Sequence, residues 1–184
     1  MRFKTSPAPP KHADETGDGD WAIKLCPSCG LCCNGVLFGD VELLRRDDPK
    51  RLAALGMTLL RKGRKQCFTQ PCACFDGQWC RIYQERPQRC RAFECRLLRR
   101  AQESQVTSEA ALKTIGEARR CADRVRELVR LLGQRDEWMP LNRRYAAVVA
   151  QPLDLVSGEE TASQRGELML AVHHLTQILE RDFL

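Results

Sequence analysis

The chain has 184 residues, 43% hydrophobic and 29% charged, with a formal net charge of +6 at pH 7. That length suits one domain, or one domain with an appendage, and can bury a core without leaning on disulfides. No apolar run approaches the roughly 18–20 residues of a membrane span, and the N-terminus holds no hydrophobic stretch that could serve as a signal peptide. The expectation is therefore a cytoplasmic protein with no membrane partner.

Residues 1–20 are rich in Pro, Gly and charge and poor in large apolar side chains, which predicts a disordered tail. Residues 21–100 form a cysteine-cluster metal-binding domain in this reading. They hold ten of the eleven cysteines, four of them in the knot Cys26-Pro-Ser-Cys29-Gly-Leu-Cys32-Cys33. Reduced cytosolic thiols at such spacing point to metal rather than disulfides, and the odd total and the adjacent Cys32 and Cys33 agree.

Two residues between cysteines let both sulfurs face one ion, and Gly30 suits the tight turn this needs. The run resembles the start of a bacterial ferredoxin ligand string, but a cysteine follows at once instead of after three residues. Adjacent Cys32 and Cys33 splay apart, so one serves the first site and the other a second site, or bridges two metals.

Asp40 is placed to cap a short helix over Val41–Leu44. Asp48 is placed to cap a second, with Pro49 at its first position and Gly56 at its end. The rest of 21–100 reads as loops, with little strand signal. Residues 101–184 read as a helical segment. A long amphipathic helix is expected over about 107–133, carrying Ala111, Leu112, Ile115, Ala118, Ala122, Val125, Leu128, Val129 and Leu132, with Gly133 as its stop. A shorter helix follows Pro140 to Ala150, and a last one spans about 160–182. The predicted fold class is mainly α: a metal-nucleated, loop-rich cysteine domain packed against a C-terminal helical segment.

Three stretches carry a family resemblance: CPSCGLCC at 26–33, Cys80-Arg-Ile-Tyr83-Gln-Glu-Arg86-Pro87-Gln-Arg-Cys90, and Cys90-Arg91-Ala-Phe93-Glu-Cys95. With Cys72 they make the chain resemble the bacterial YkgJ-like cysteine-cluster proteins, described as a zinc- or iron-chelating domain. The resemblance covers residues 26–95. It implies eight metal ligands: Cys26, Cys29, Cys32, Cys33, Cys72, Cys80, Cys90 and Cys95. Cys74 stands where the family usually has an apolar residue and could replace Cys72, and Cys67 is a further candidate.

The implied cofactor is Zn2+ or Fe, the latter as an ion or a [4Fe-4S] cluster, in one or two sites. Arginines between the cysteines can donate hydrogen bonds to thiolates and offset their charge. Arg86 and Arg91 are the candidates, with Tyr83 excluding water beside them.

Catalysis finds no motif here: no HExxH, no GxSxG and no phosphate loop. A fully thiolate site closes its coordination positions, which favours architecture or metal carriage over hydrolysis. The leading reading is a metalloprotein engaged in chelation or a metal-stabilised protein interaction, with no catalytic residue assigned. A similar domain in flagellin lysine N-methylases, linked there to an iron–sulfur cluster, supplies the enzyme alternative. Basic runs such as Arg61-Lys-Gly-Arg-Lys65 supply a zinc-stabilised nucleic-acid-binding alternative. Aromatic residues at 6% and the mixed charge of the long helix argue against it.

Overall fold

A computed structural model describes residues 21–152 and 158–184. The expected disordered tail, 1–20, lies outside the described residues.

Helix α1 (Trp21–Cys29) carries the first two cysteines and buries Leu25 and Pro27. Gly30, at φ +66°, ends it and turns the chain, so the knot is half helix and half turn. The helix expected from Asp40 does not form. Asp40–Glu42 is instead strand β1, in antiparallel register with residues 67–69, Val41 opposite Phe68. Pairing and burial of Val41 override the local cap signal there. Helix α2 (Pro49–Ala54) does form at Asp48, whose Oδ1 accepts the Arg51 N–H at 3.1 Å.

Strands β2 (Leu59–Lys62) and β3 (Lys65–Thr69) make a hairpin where loops are expected, and the sheet order is β1-β3-β2. Gly63, at φ +59°, supplies the left-handed residue of the two-residue turn. The basic run 61–65 is thus the tip of this hairpin. Lys62 pairs with Asp40, and Lys65 with Glu42 at 3.3 Å. Short helices missed by the sequence reading follow: a 3-10 turn (Tyr83–Glu85), α3 (Gln88–Ala92) and α4 (Arg96–Gln102).

Helix α5 (Ser108–Leu131) matches its expected span. Thr107 caps it, Oγ1 accepting the Ala110 N–H at 3.2 Å, and Gly133, at φ +92°, follows its end. Helices α6 (Leu141–Val149) and α7 (Gly158–Asp182) also fall where expected. The described residues are mainly α-helical.

Two cores result. The larger joins α5 and α7 through Ile115, Val125, Leu128, Leu168, Leu175 and Ile178, and takes in Leu25, Leu31, Leu97 and Leu98 from the cysteine-rich half. Each such side chain contributes about 1.5–3 kcal/mol when fully buried. The smaller holds Leu52, Met57, Phe68, Cys72 and Cys74 under the sheet. The cysteine cavity lies against both.

Candidate metal centre

Cys26, Cys29, Cys32, Cys33, Cys72, Cys80, Cys90 and Cys95 all line one cavity of about 310 Å³. Its remaining wall is largely apolar and includes Phe38, Met57, Phe75 and Ile82. Cys67 and Cys74 are not on that wall. Cys67 is 3% exposed on β3, opposite Leu60, and Cys74 is 1% exposed in the smaller core. No cysteine is in a disulfide. Cys121 is half-buried on α5 with its Sγ 3.9 Å from His174 Nδ1.

The thiols act on one another in two overlapping sets, one met at Cys29 and Cys32 and the other at Cys33 and Cys90. Burial raises Cys29 to about 12, and Cys95 and Cys26 push it further the same way. Cys32 is held well above the ordinary thiol value by burial, then by Cys29, Cys33, Cys95 and Cys26. Cys33 belongs to the other group: burial raises it, then Cys72, Cys80 and Cys90, with Cys26 a more distant contributor. Burial brings Cys90 to about 12, with Cys72 and Cys80 adding to it. Cys32 and Cys33 are the seam between the groups.

Against this burial, backbone amides point at sulfurs. Cys29, Cys72, Cys80 and Cys95 are each raised by burial and opposed by an amide two residues on, from Leu31, Cys74, Ile82 and Leu97. Cys95 also caps α4, its Sγ accepting the Leu98 N–H at 3.4 Å. Amides aimed at sulfur favour the thiolate, the form that binds metal. Each group of four holds two sulfurs so supported.

The flanking residues differ in their placement. Arg86 stacks its guanidinium 3.6 Å from the Tyr83 ring centroid and donates from Nε to the Tyr83 carbonyl at 2.9 Å. Its charge acts on both Cys80 and Cys90, and Tyr83 and Arg86 line the cavity. Arg91 is exposed on α3. Arg119 on α5 and Arg99 on α4, which the sequence marks only as parts of basic runs, act on Cys29 and Cys95. Gln70, also unanticipated, lines the cavity at 2% exposure with no partner for its Oε1.

Residues 25–121, just over half the chain, match the family described as "CxxCxxCC: Putative zinc- or iron-chelating domain". The chain belongs to this CxxCxxCC family. The matched span takes in all eight cavity cysteines, and the function it brings is metal binding. No curated protein and no solved structure matches the chain. Among the described residues, no three Cys, His, Asp or Glu side chains already converge as a set that could hold a metal ion. The donors nonetheless fit zinc or iron in kind. They are soft sulfurs around an apolar cavity, with amides and cations ready to offset thiolate charge. No helix among the described residues is long and apolar enough to cross a membrane.

Proposed function

We propose that this CxxCxxCC protein chelates two metal ions, each on four cysteine thiolates. Cys26, Cys29, Cys32 and Cys95 hold one, and Cys33, Cys72, Cys80 and Cys90 hold the other. The observation that carries the reading is the shared cavity, in which Cys29 and Cys95 pack against the larger core and Cys33, Cys72 and Cys90 against the smaller one. Cys72 is the ligand in preference to Cys74, because Cys72 faces the cavity and Cys74 packs into the smaller core. Arg86 and Tyr83 flank the second site, and Arg91 stands further out.

Four thiolates close a tetrahedral site and leave no position for a reactive water, so the role is chelation and carriage, not hydrolysis. Two dications on eight thiolates would bring the formal charge from +6 to about +2, so the apparent basicity partly balances the sites. The metal is zinc or iron. The chain works as a soluble cytoplasmic protein in this reading, with residues 21–100 as the metal-binding part and 101–184 as its helical support.

A second reading draws on cavity size: about 310 Å³ is ample for an iron–sulfur cluster in place of two separate ions. Elemental analysis with visible and paramagnetic spectra of anaerobically purified protein tests both. Two zinc or iron ions per chain with no sulfide supports the first. Sulfide with broad visible absorption supports the second, and substoichiometric metal rejects both.

A further inference from the structure

The two groups of thiols are not equally enclosed. Cys26 is exposed, on the last turn of α1 between exposed Lys24 and Ser28. The other seven cavity cysteines are half-buried or buried. Two cations border this open edge. Arg119 donates to the Ser28 carbonyl at 2.7 Å and acts on Cys29, while Arg99 acts on Cys95. The second group also has cations beside it, Arg86 and Arg81 at Cys80, but no exposed cysteine. Cys33, Cys72 and Cys90 pack against Leu52, Met57 and Phe68, and Cys80 is bridged to Phe75.

We propose that the Cys26, Cys29, Cys32, Cys95 set is an exchange site. It passes its metal to and from anionic thiols through Cys26, while the Cys33, Cys72, Cys80, Cys90 set keeps its metal. The inference rests on the four-and-four reading above and treats the first metal as cargo. In the exchange, an incoming thiol gives its proton to the Cys26 sulfur. The metal–Cys26 bond breaks as a bond from the metal to the incoming sulfur forms, and the metal's oxidation state is unchanged.

Cys26 is the ligand that leaves at least cost, because it is the exposed cysteine of the eight. Cys29 and Cys95 stay, held by amides and packed against the larger core. Arg99 and Arg119 favour an incoming thiol that brings negative charge with it. In the second site Cys72 is buried and Cys33 and Cys90 pack against the smaller core, so no ligand is as open to an incoming thiol and the same exchange is slower there.

The test loads the full chain with zinc, counts it, and follows release into a chromophoric chelator with mercaptosuccinate or the neutral 2-mercaptoethanol at equal thiolate concentration. One zinc is expected to leave in a phase whose rate rises with thiol and is faster with mercaptosuccinate. The other should leave at least about tenfold more slowly. Cys26→Ser should abolish the fast phase, since it removes a ligand of that site, and leave the slow phase alone. Cys80→Ser should do the reverse, and Arg119→Gln should narrow the preference for mercaptosuccinate.

Release of both zincs in one phase overturns the exchange proposal while leaving the two-site reading intact. A fast phase that responds to Cys80→Ser and not to Cys26→Ser also overturns it. Fewer than two zincs before any chelator is added overturns the two-site reading, and the exchange proposal with it. Far-UV circular dichroism checks each variant's helices, and the two-phase release of the unaltered chain decides the matter if a variant fails to fold.

Discussion

The backbone N–H of Cys72 donates to the carbonyl of Cys33 at 2.8 Å. This bond ties the N-terminal knot to the second cysteine segment and sets Cys33 beside Cys72, while its neighbour Cys32 feels Cys29 most among the thiols. Cys33→Ser should therefore remove one metal per chain, and so should Cys32→Ser, but not the same one. Zinc counts of one for each single variant and none for the double variant are expected from elemental analysis. An unchanged count in Cys33→Ser would refute the division.

The thiols make the metal-free protein sensitive to alkali. Burial raises Cys29 to about 12, Cys72 to about 11 and Cys90 to about 12, from an ordinary value of 9.0. A group raised on folding contributes stability that is complete below its unfolded value and is lost as pH rises through its folded one. The metal-free chain should hold its stability up to about pH 9 and lose it between 9 and 12. The slope approaches about 1.4 kcal/mol per pH unit for each affected thiol. Loaded with metal, the same thiols are charge-compensated thiolates, so the loss should vanish, and binding near pH 7 should release about one proton per ligand. Urea melts at pH 8 and 10.5, with and without zinc, check this. Equal alkaline loss in both forms would count against these thiols as ligands.

The helical half is legible in the sequence because its signals are local. Thr107, the 3.6-residue period from Ala111 to Val129, and Gly133 all lie within one helix, so its ends fall within two residues of expectation. The Asp40 segment fails for the opposite reason: its structure is decided by Phe68, far along the chain. The site divides the same way. Spacing and resemblance mark the eight cysteines, but Cys95 reaches the same cavity as Cys26, Cys29 and Cys32 because α1 and α4 pack with each other and with α5. Arg119 reaches Ser28 across the same contact, and no sequence window contains both.

Gly30 separates the effect of backbone from that of space. A Cβ added there would stand 2.6 Å from Phe75 Cζ, and Phe75 is part of the cavity wall. Gly63 has a similar positive φ, but a Cβ there would meet nothing within 4 Å. Both Gly→Ala changes cost about 1–2 kcal/mol for the left-handed conformation. Only Gly30→Ala should also displace the ring, lower the melting temperature well beyond the Gly63→Ala value, and weaken metal binding. Thermal melts of the two variants with matched zinc titrations check this, and equal effects would mean that Phe75 yields freely.

Arg86 is the residue whose role depends most on its placement. Its guanidinium is fixed by stacking on Tyr83 and by the bond from Nε to the Tyr83 carbonyl, which holds its charge beside Cys80 and Cys90. Arg86→Ala should leave the zinc count unchanged at saturation and lower the affinity of the second site by about tenfold, the lower end for a residue that supports ligands from behind. Arg86→Lys should recover part of that loss, since a lysine keeps the charge but not the planar stack or the Nε donor. Arg91→Ala, on the exposed side of α3, measures what general positive charge is worth. Chelator competition on the three variants decides between placement and charge. An Arg91→Ala loss equal to that of Arg86→Ala would mean that the site responds to nearby charge alone, and that the Tyr83 stack serves only to pack Arg86.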